Sequence, residues 1–223
     1  MEMSSIQLEI AKPNRVVIGR LPEAYNVNQN LKVGLLNELS FTIPFQKQKD
    51  FRLVRNPNVD KIKSRYLVRA TYLENQEWYI VSQINSAFES DGKEILNVRL
   101  HRLGYQLRDK KIRQWAGVYI DGEFRKESLN AQQVLVNLLS SSTWGVGYID
   151  SEFITKFRAF DFNNIFVLDA VYNVAETFGG IIEWDTENKL INLVKQENVG
   201  TNKGLRVSYG KYLKSLNKEE KSD

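Results

Sequence analysis

Hydrophobic and polar positions alternate with a period of two through most of the first hundred residues, the pattern of half-buried strands. Residues 39–45, Leu-Ser-Phe-Thr-Ile-Pro-Phe, set Leu39, Phe41, Ile43 and Phe45 on one face, and Pro44 marks an edge or a strand end. Residues 66–72 and 78–84 read as paired strands joined by a polar loop at 73–77. After the turn signal Ser90-Asp-Gly92, residues 95–100 repeat the alternation through Leu96, Val98 and Leu100. With 6–10 and 16–18 in front, the pattern predicts about six strands and no helix, which favours a small β-barrel or sandwich.

The period then changes. Asn130 is a good helix N-cap with Gln133 three residues on, and Val134, Leu135, Leu138 and Leu139 share one helical face, so a helix is predicted from 130 to about 140. A second is predicted over 165–178, with Ile165, Leu168, Val171, Ala175 and Phe178 on one stripe and the pair Gly179-Gly180 supplying a left-handed end. A hairpin of residues 181–185 and 190–195, turned by Thr186-Glu-Asn-Lys189, follows. The fold class is therefore α+β: an N-terminal β-barrel over 1–105, an α+β domain over 106–200, and a fresh strand at 205–216 that opens a segment, 201–223, with no predicted partner. That last strand makes the chain read as the front part of a larger protein.

Composition narrows the chemistry. The 223 residues are 42% hydrophobic and 11% aromatic, enough to offset the entropy of ordering a folded chain. No run of eighteen apolar residues exists and Glu2 stands where a signal peptide carries bases, so the expectation is a soluble, unexported chain with no membrane partner. Zero cysteines exclude disulfides, thiolate metal sites and cysteine nucleophiles, and the single histidine, His101, excludes any site built on two imidazoles. Of the net charge of +4, the segment 106–113 supplies +3, from Arg108, Lys110, Lys111 and Arg113 against Asp109. A run of this kind is a solvated face or a phosphate contact.

Few residues invite a catalytic reading. Glu183 and Asp185 flank Trp184 at strand spacing, as a glycosidase pair beside an aromatic platform would, and Asp150 and Glu152 repeat that spacing. Exposed strands carry such acids routinely. His101 lies out of phase with Leu96, Val98 and Leu100 and reads as a hydrogen-bonded structural residue. Trp144-Gly-Val-Gly147 lacks the third glycine and the lysine of a phosphate loop and reads as a turn followed by a strand. The aromatics Tyr66, Tyr72, Trp78 and Tyr79, interleaved with Arg65 and Arg69, would suit a stacking platform for single-stranded nucleic acid, although half of them must fill the core. No catalytic, cofactor-binding or metal-ligating residue is assigned, and no cofactor is expected.

The order of motifs goes further. Asn37-Glu-Leu-Ser-Phe-Thr-Ile43, Glu77-Trp-Tyr-Ile-Val-Ser-Gln-Ile84 and Arg99-Leu-His-Arg-Leu-Gly-Tyr-Gln-Leu107 resemble the N-terminal region of the prophage tail endopeptidase, or tail-associated lysin, family. The helix at 130–139 with Ser142-Thr-Trp-Gly-Val-Gly147, the segment 166–179, Ile182-Glu-Trp-Asp185 and the segment 204–214 follow in the family's order; a glycine the family has between Thr143 and Trp144 is missing here. The resemblance implies a baseplate hub or tail-tip protein of a long-tailed phage or prophage. It would be a virion component assembled in the host cytoplasm, in which three copies form a ring continuing the tail tube. Each copy would contribute two tube barrels with an α+β domain between them. The distal tail protein ring and the tape-measure protein are its implied partners, and DNA would pass through the lumen without specific binding. This chain would hold the first barrel and the α+β domain and none of the C-terminal peptidase module, so it is expected to be non-enzymatic, and monomeric in dilute solution although the complete protein is a homotrimer. Two alternatives stay open: a nucleic-acid-binding module using the barrel aromatics and Arg108 to Arg113, and a glycan hydrolase using Glu183 and Asp185.

Overall fold

The computed structural model describes residues 6–73, 75–115 and 117–199. The strand expected at 205–216 lies outside the described residues. The chain is a mixed α+β structure in which strands predominate.

The first half is one antiparallel sheet with an appended hairpin. Its strands are β1 (Gln7–Ala11), β2 (Val17–Arg20), β3 (Tyr25–Asn30) and β4 (Glu38–Pro44), then, beyond the hairpin β5 (Gln46–Lys49) and β6 (Arg52–Arg55), β7 (Leu67–Tyr72), β8 (Asn75–Phe88) and β9 (Glu94–Arg102). The sheet order is β2-β1-β7-β8-β9-β4-β3. Alternation places Leu39, Phe41 and Ile43 of β4 with Leu96, Val98 and Leu100 of β9 in one buried core, joined by Tyr79 and Val81 of β8. Pro44 is the last residue of β4, where its missing N–H costs the ladder nothing.

Among the described residues the sheet does not close into a barrel. The sheet curls far enough for the Gln29 side-chain amide on β3 to donate to the Tyr79 hydroxyl on β8, three strands away, at 2.6 Å. Yet among the described residues β2 and β3 are the two edges of the sheet, each paired on one side. The gap between the sheet's two ends is bridged by residues 56–62. There the buried Asn58 donates its side-chain amide to the Arg20 carbonyl at 2.8 Å, and the buried Asn56 donates to the Pro44 carbonyl at 3.1 Å and, from its backbone, to the Phe45 carbonyl at 2.7 Å. Val59 and Ile62 insert beneath, completing the core that strand pairing leaves open.

The second half begins with a 3-10 helix, Leu103–Asp109, followed by β10 (Lys111–Gln114), β11 (Val118–Ile120), β12 (Glu123–Arg125), α1 (Ala131–Leu139), β13 (Gly145–Ile149), α2 (Ser151–Thr155), β14 (Asn163–Phe166), α3 (Val167–Phe178), β15 (Ile181–Asp185) and β16 (Leu190–Val194). In the order β13-β16-β15 the first pair is parallel and the second antiparallel. The capping box of α1 is present: Gln133 N–H donates to the Asn130 side chain and Asn130 N–H to the Gln133 side chain, both at 3.0 Å. Helix α3 ends at Gly179, whose φ of 69° a side-chain-bearing residue seldom adopts. Its start departs from expectation. Ile165 belongs to β14, opposite Ile112 of β10, and the helix begins only at Val167, because β10 supplies a strand partner that local periodicity does not reveal.

One core joins the halves. Leu67, Trp78 and Ile80 leave the sheet on the face opposite Tyr79 and, with Leu36 from the β3–β4 connection, pack with Leu103, Leu107, Trp184 and the buried stripes of α1 and α3. The middle of β8, Trp78 to Val81, is thus buried on both sides.

Candidate assembly surface

The acid pairs do not make a site. Asp185 accepts from the backbone N–H groups of Glu187 (3.0 Å) and Asn188 (2.9 Å) and from the Asn188 side chain (2.8 Å), so its carboxylate shapes the β15–β16 turn. Burial raises its pKa, but these hydrogen bonds and the nearby Arg15 charge bring it below the ordinary carboxyl value. Trp184 offers no platform: it is buried, edge-on to Trp144 at 5.5 Å between ring centroids. Asp150 and Glu152 are not on a strand. Asp150 precedes α2 and accepts from the Lys195 N–H at 2.7 Å and the Asn198 side chain, while Glu152, within α2, is held to about 2 by hydrogen bonds from Lys156 and Lys195. Among the described residues, no three carboxylate or imidazole side chains gather as metal ligands would.

The aromatic platform also fails to form. Trp78 and Tyr79 are buried, leaving Tyr72 exposed and Tyr66 half-buried. Trp78 belongs instead to the junction between the halves. The Arg15 and Arg69 guanidinium carbons lie 5.3 and 5.6 Å from the centre of its ring, its indole N–H donates to Glu187 at 2.7 Å, and its backbone N–H donates to the Thr186 hydroxyl at 3.0 Å. Arg15, at a φ of 66° in the β1–β2 turn, donates to the Glu187 carbonyl at 2.6 Å and to that of Thr186. No motif marks Arg15, and Thr186 and Glu187 are marked in sequence only as part of a hairpin turn. The apolar neighbours of Trp78 in sequence are the sole signal that it sits inside.

The outward face of β3, β4, β9 and β8 is polar and grooved. A groove of about 560 Å³ is lined by Asn28, Asn30, Ser40, Gln83, Arg99 and His101 among others, and a second of about 290 Å³ continues it past Thr42 and Asn97, which share a hydrogen bond of 2.9 Å. Serine, histidine and a carboxylate do meet here, in Ser82, His101 and Glu38. Their geometry is not that of a hydrolase, because Ser82 donates to the Arg99 carbonyl, Glu38 pairs with Lys32 at 2.7 Å, and the His101 ring stacks on Tyr105 at 4.4 Å. Burial lowers the His101 pKa against the pull of Glu38, which keeps the ring neutral at pH 7. The outcome is a face of amides and hydroxyls that engages water readily and carries little net charge.

The basic segment is structural in part. Arg108 and Lys111 lie over the Phe166 ring at 5.3 and 5.4 Å, Asp109 pairs with Arg65, and Lys110 accepts the Val167 N–H through its carbonyl at 3.0 Å. Arg113 is exposed on β10, where alternating cations discourage pairing with another chain's edge.

Residues 10–99 match the family model described as the YOMG N-terminal domain. Over 208 residues the chain is 29% identical to the SPbeta prophage-derived protein YomG of Bacillus subtilis (strain 168), aligning 93% of itself with 22% of that protein. Among solved structures, it resembles a tail protein of Neisseria meningitidis MC58 (TM-score 0.54, 11% identity, 85% of this chain and 50% of that one) and the 43 kDa tail protein of prophage MuSo2 from Shewanella oneidensis (0.53, 8%, 86% and 54%). A third likeness is to the E. coli c3393 protein, a component of the type VI secretion system described as similar to the T4 bacteriophage tail proteins gp27 and gp5 (0.50, 11%, 87% and 50%). The chain spans about a fifth of YomG and about half of each of these structures. The matching family model is that of YomG and not that of the tail endopeptidases whose motif order the sequence resembles. In fold, the chain is similar to tail proteins and to a type VI secretion component that is itself described as structurally similar to phage tail proteins.

Proposed function

We propose that this chain is a non-enzymatic wall element of a phage or prophage tail tip or baseplate hub. Residues 1–105 act as a tube domain and residues 106–200 as the α+β domain packed beside it. In the complete protein it trimerises, next to the distal tail protein ring and the tape-measure protein, within a virion assembled in the host cytoplasm. The observation that carries this reading is that the likeness to tail proteins extends over 85–86% of the chain, and so across both halves and the junction between them. The polar, weakly charged sheet face suits a wall past which a polyanion slides without being held.

Immunogold labelling with antibodies against residues 6–199 tests the proposal on particles induced from a strain carrying the gene. Label is expected at the tail tip. Particles labelled on the capsid, or released particles without label although the protein is made, would reject it.

A further inference from the structure

The basic segment holds charge that the packing of the chain does not use. Arg108, Lys110, Lys111 and Arg113 are all exposed, and Ile112 turns to the shared core, so Lys111 and Arg113 of β10 face outward together. The segment does not stand alone. Its Asp109 pairs with Arg65 in the stretch before β7, where Lys63 is also exposed, and the pairing of Ala11 with Leu67 sets the β1–β2 turn, with the exposed Lys12, beside Tyr66. Three stretches far apart in sequence thus build one surface across both halves. Among the described residues, Arg65 is the one cation of this surface held in an ion pair. With Asp109 and the flanking Asp161 and Asp169 subtracted, the surface carries +4, the net charge of the entire chain, so the remainder of the protein is balanced.

Aromatic rings steady these cations. Lys63 lies over Tyr66 at 5.9 Å, Arg108 over Tyr105 at 5.9 Å and Phe166 at 5.3 Å, and Lys111 over Phe166 at 5.4 Å. A head group held in this way loses little freedom on meeting an anion, and the ring beneath it is closed to a stacking base. The partner is therefore recognised by charge. Among the described residues, none of the large apolar side chains that stand exposed falls within 63–66 or 103–114. An acidic protein or an anionic membrane would use such anchors, whereas a phosphodiester backbone is met by cations alone.

We propose that this surface binds the phosphate backbone of double-stranded DNA without regard to sequence. The duplex presents one negative charge per roughly 1.7 Å of axis, about twice the density of a single strand, and needs no stacking platform. The contact stands whether or not the chain belongs to a tail. It does not involve the groove on β3, β4, β9 and β8, whose face would let a polyanion pass where this surface retains one.

Fluorescence anisotropy of the 223-residue chain with end-labelled duplexes of about 20 base pairs, in two unrelated sequences, is the test. At about 50 mM salt both duplexes are expected to bind with a dissociation constant below about 100 μM, and contact with about five phosphates gives a double-logarithmic salt slope of about −4.5. Lys110→Gln with Lys111→Gln and Arg113→Gln is expected to bring the slope to about −2, and Lys12→Gln with Lys63→Gln to about −3, with urea midpoints close to that of the wild type. Lys49→Gln with Arg52→Gln, at the β5–β6 tip, removes as much charge as the second variant and is expected to leave binding within about twofold. A single strand of either sequence is expected to bind more weakly and with a shallower slope. A wild type that does not bind at that salt, a triple variant that binds as the wild type does, or a tip variant that weakens binding as much as the Lys12 and Lys63 pair would overturn the proposal. So would a single strand held more tightly than the duplex, which is the mark of base stacking, or polyglutamate that displaces the duplex at equal charge, which would assign the surface to an acidic polypeptide.

Discussion

Arg15 binds parts of the chain that lie 171 and 172 residues apart, reaching the Thr186 and Glu187 carbonyls while stacking on Trp78. Arg15→Ala removes two charge-assisted hydrogen bonds and is expected to lower the unfolding free energy by about 2–3 kcal/mol, seen as a lower urea midpoint at unchanged slope. Arg15→Lys is expected to restore little, since an ammonium cannot span both carbonyls and the ring. His101 sets a pH dependence. Because burial holds its folded pKa down, the unfolded state takes the proton first as pH falls below about 6.5, and stability declines until the pH passes the folded value. His101→Gln is expected to remove that part of the decline in urea midpoints measured across pH. A later loss, in the acid range, belongs to Glu23 and Asp185. Burial raises both, yet hydrogen bonds, chiefly from Lys47 to Glu23 and from Asn188 to Asp185, leave them below their ordinary values. Their contribution is present above the ordinary carboxyl range and goes as pH falls through the lowered values.

At the scale of elements, Gly104 is the tightest point of the junction. A Cβ there would come within 2.6 Å of the Trp184 ring and 2.8 Å of Leu36, both buried, so Gly104→Ala is expected to cost about 1–3 kcal/mol in chemical denaturation. Asn130→Ala, which opens the α1 capping box, is expected to cost about 1 kcal/mol by the same measurement. Elements that announce themselves in sequence are those whose buried face is local. Strands β4 and β9 alternate cleanly, and α1 carries both its cap and its stripe. Strand β3, Tyr25-Asn-Val-Asn-Gln-Asn30, lies at an edge of the sheet, where the half-buried Tyr25 and Val27 give an alternation too short and too polar to stand out, and β8 runs on past Ile84 through exposed residues that burial does not pattern. Strand β14 takes Ile165 from the expected helix through a pairing with β10 that no short window contains.

At the scale of the whole molecule, the shared core crosses the change from strand to helix periodicity, and the halves are expected to melt together. Calorimetry on the 223-residue chain should give one transition whose calorimetric and van't Hoff enthalpies agree. A piece ending at residue 105 should fold poorly, because it exposes Trp78, Ile80 and Leu103. Two separated transitions would show that the junction couples the halves weakly. The candidate surfaces were less legible than the fold, for a physical reason: a groove of Asn, Ser and Gln is assembled from four strands, each of which contributes residues indistinguishable from ordinary solvent-facing ones.

All four tryptophans, Trp78, Trp115, Trp144 and Trp184, lie in the shared core, and none lies in the core enclosed by the sheet, whose largest fully buried side chain is Tyr79. Indole emission therefore samples one of the two interiors only. A partner or additive that loosens the sheet alone would change the amide signal and leave the emission maximum in place. A red shift that precedes any amide change would locate the event at Trp78 and the helices behind it, giving an optical map of where the molecule yields first without any added label.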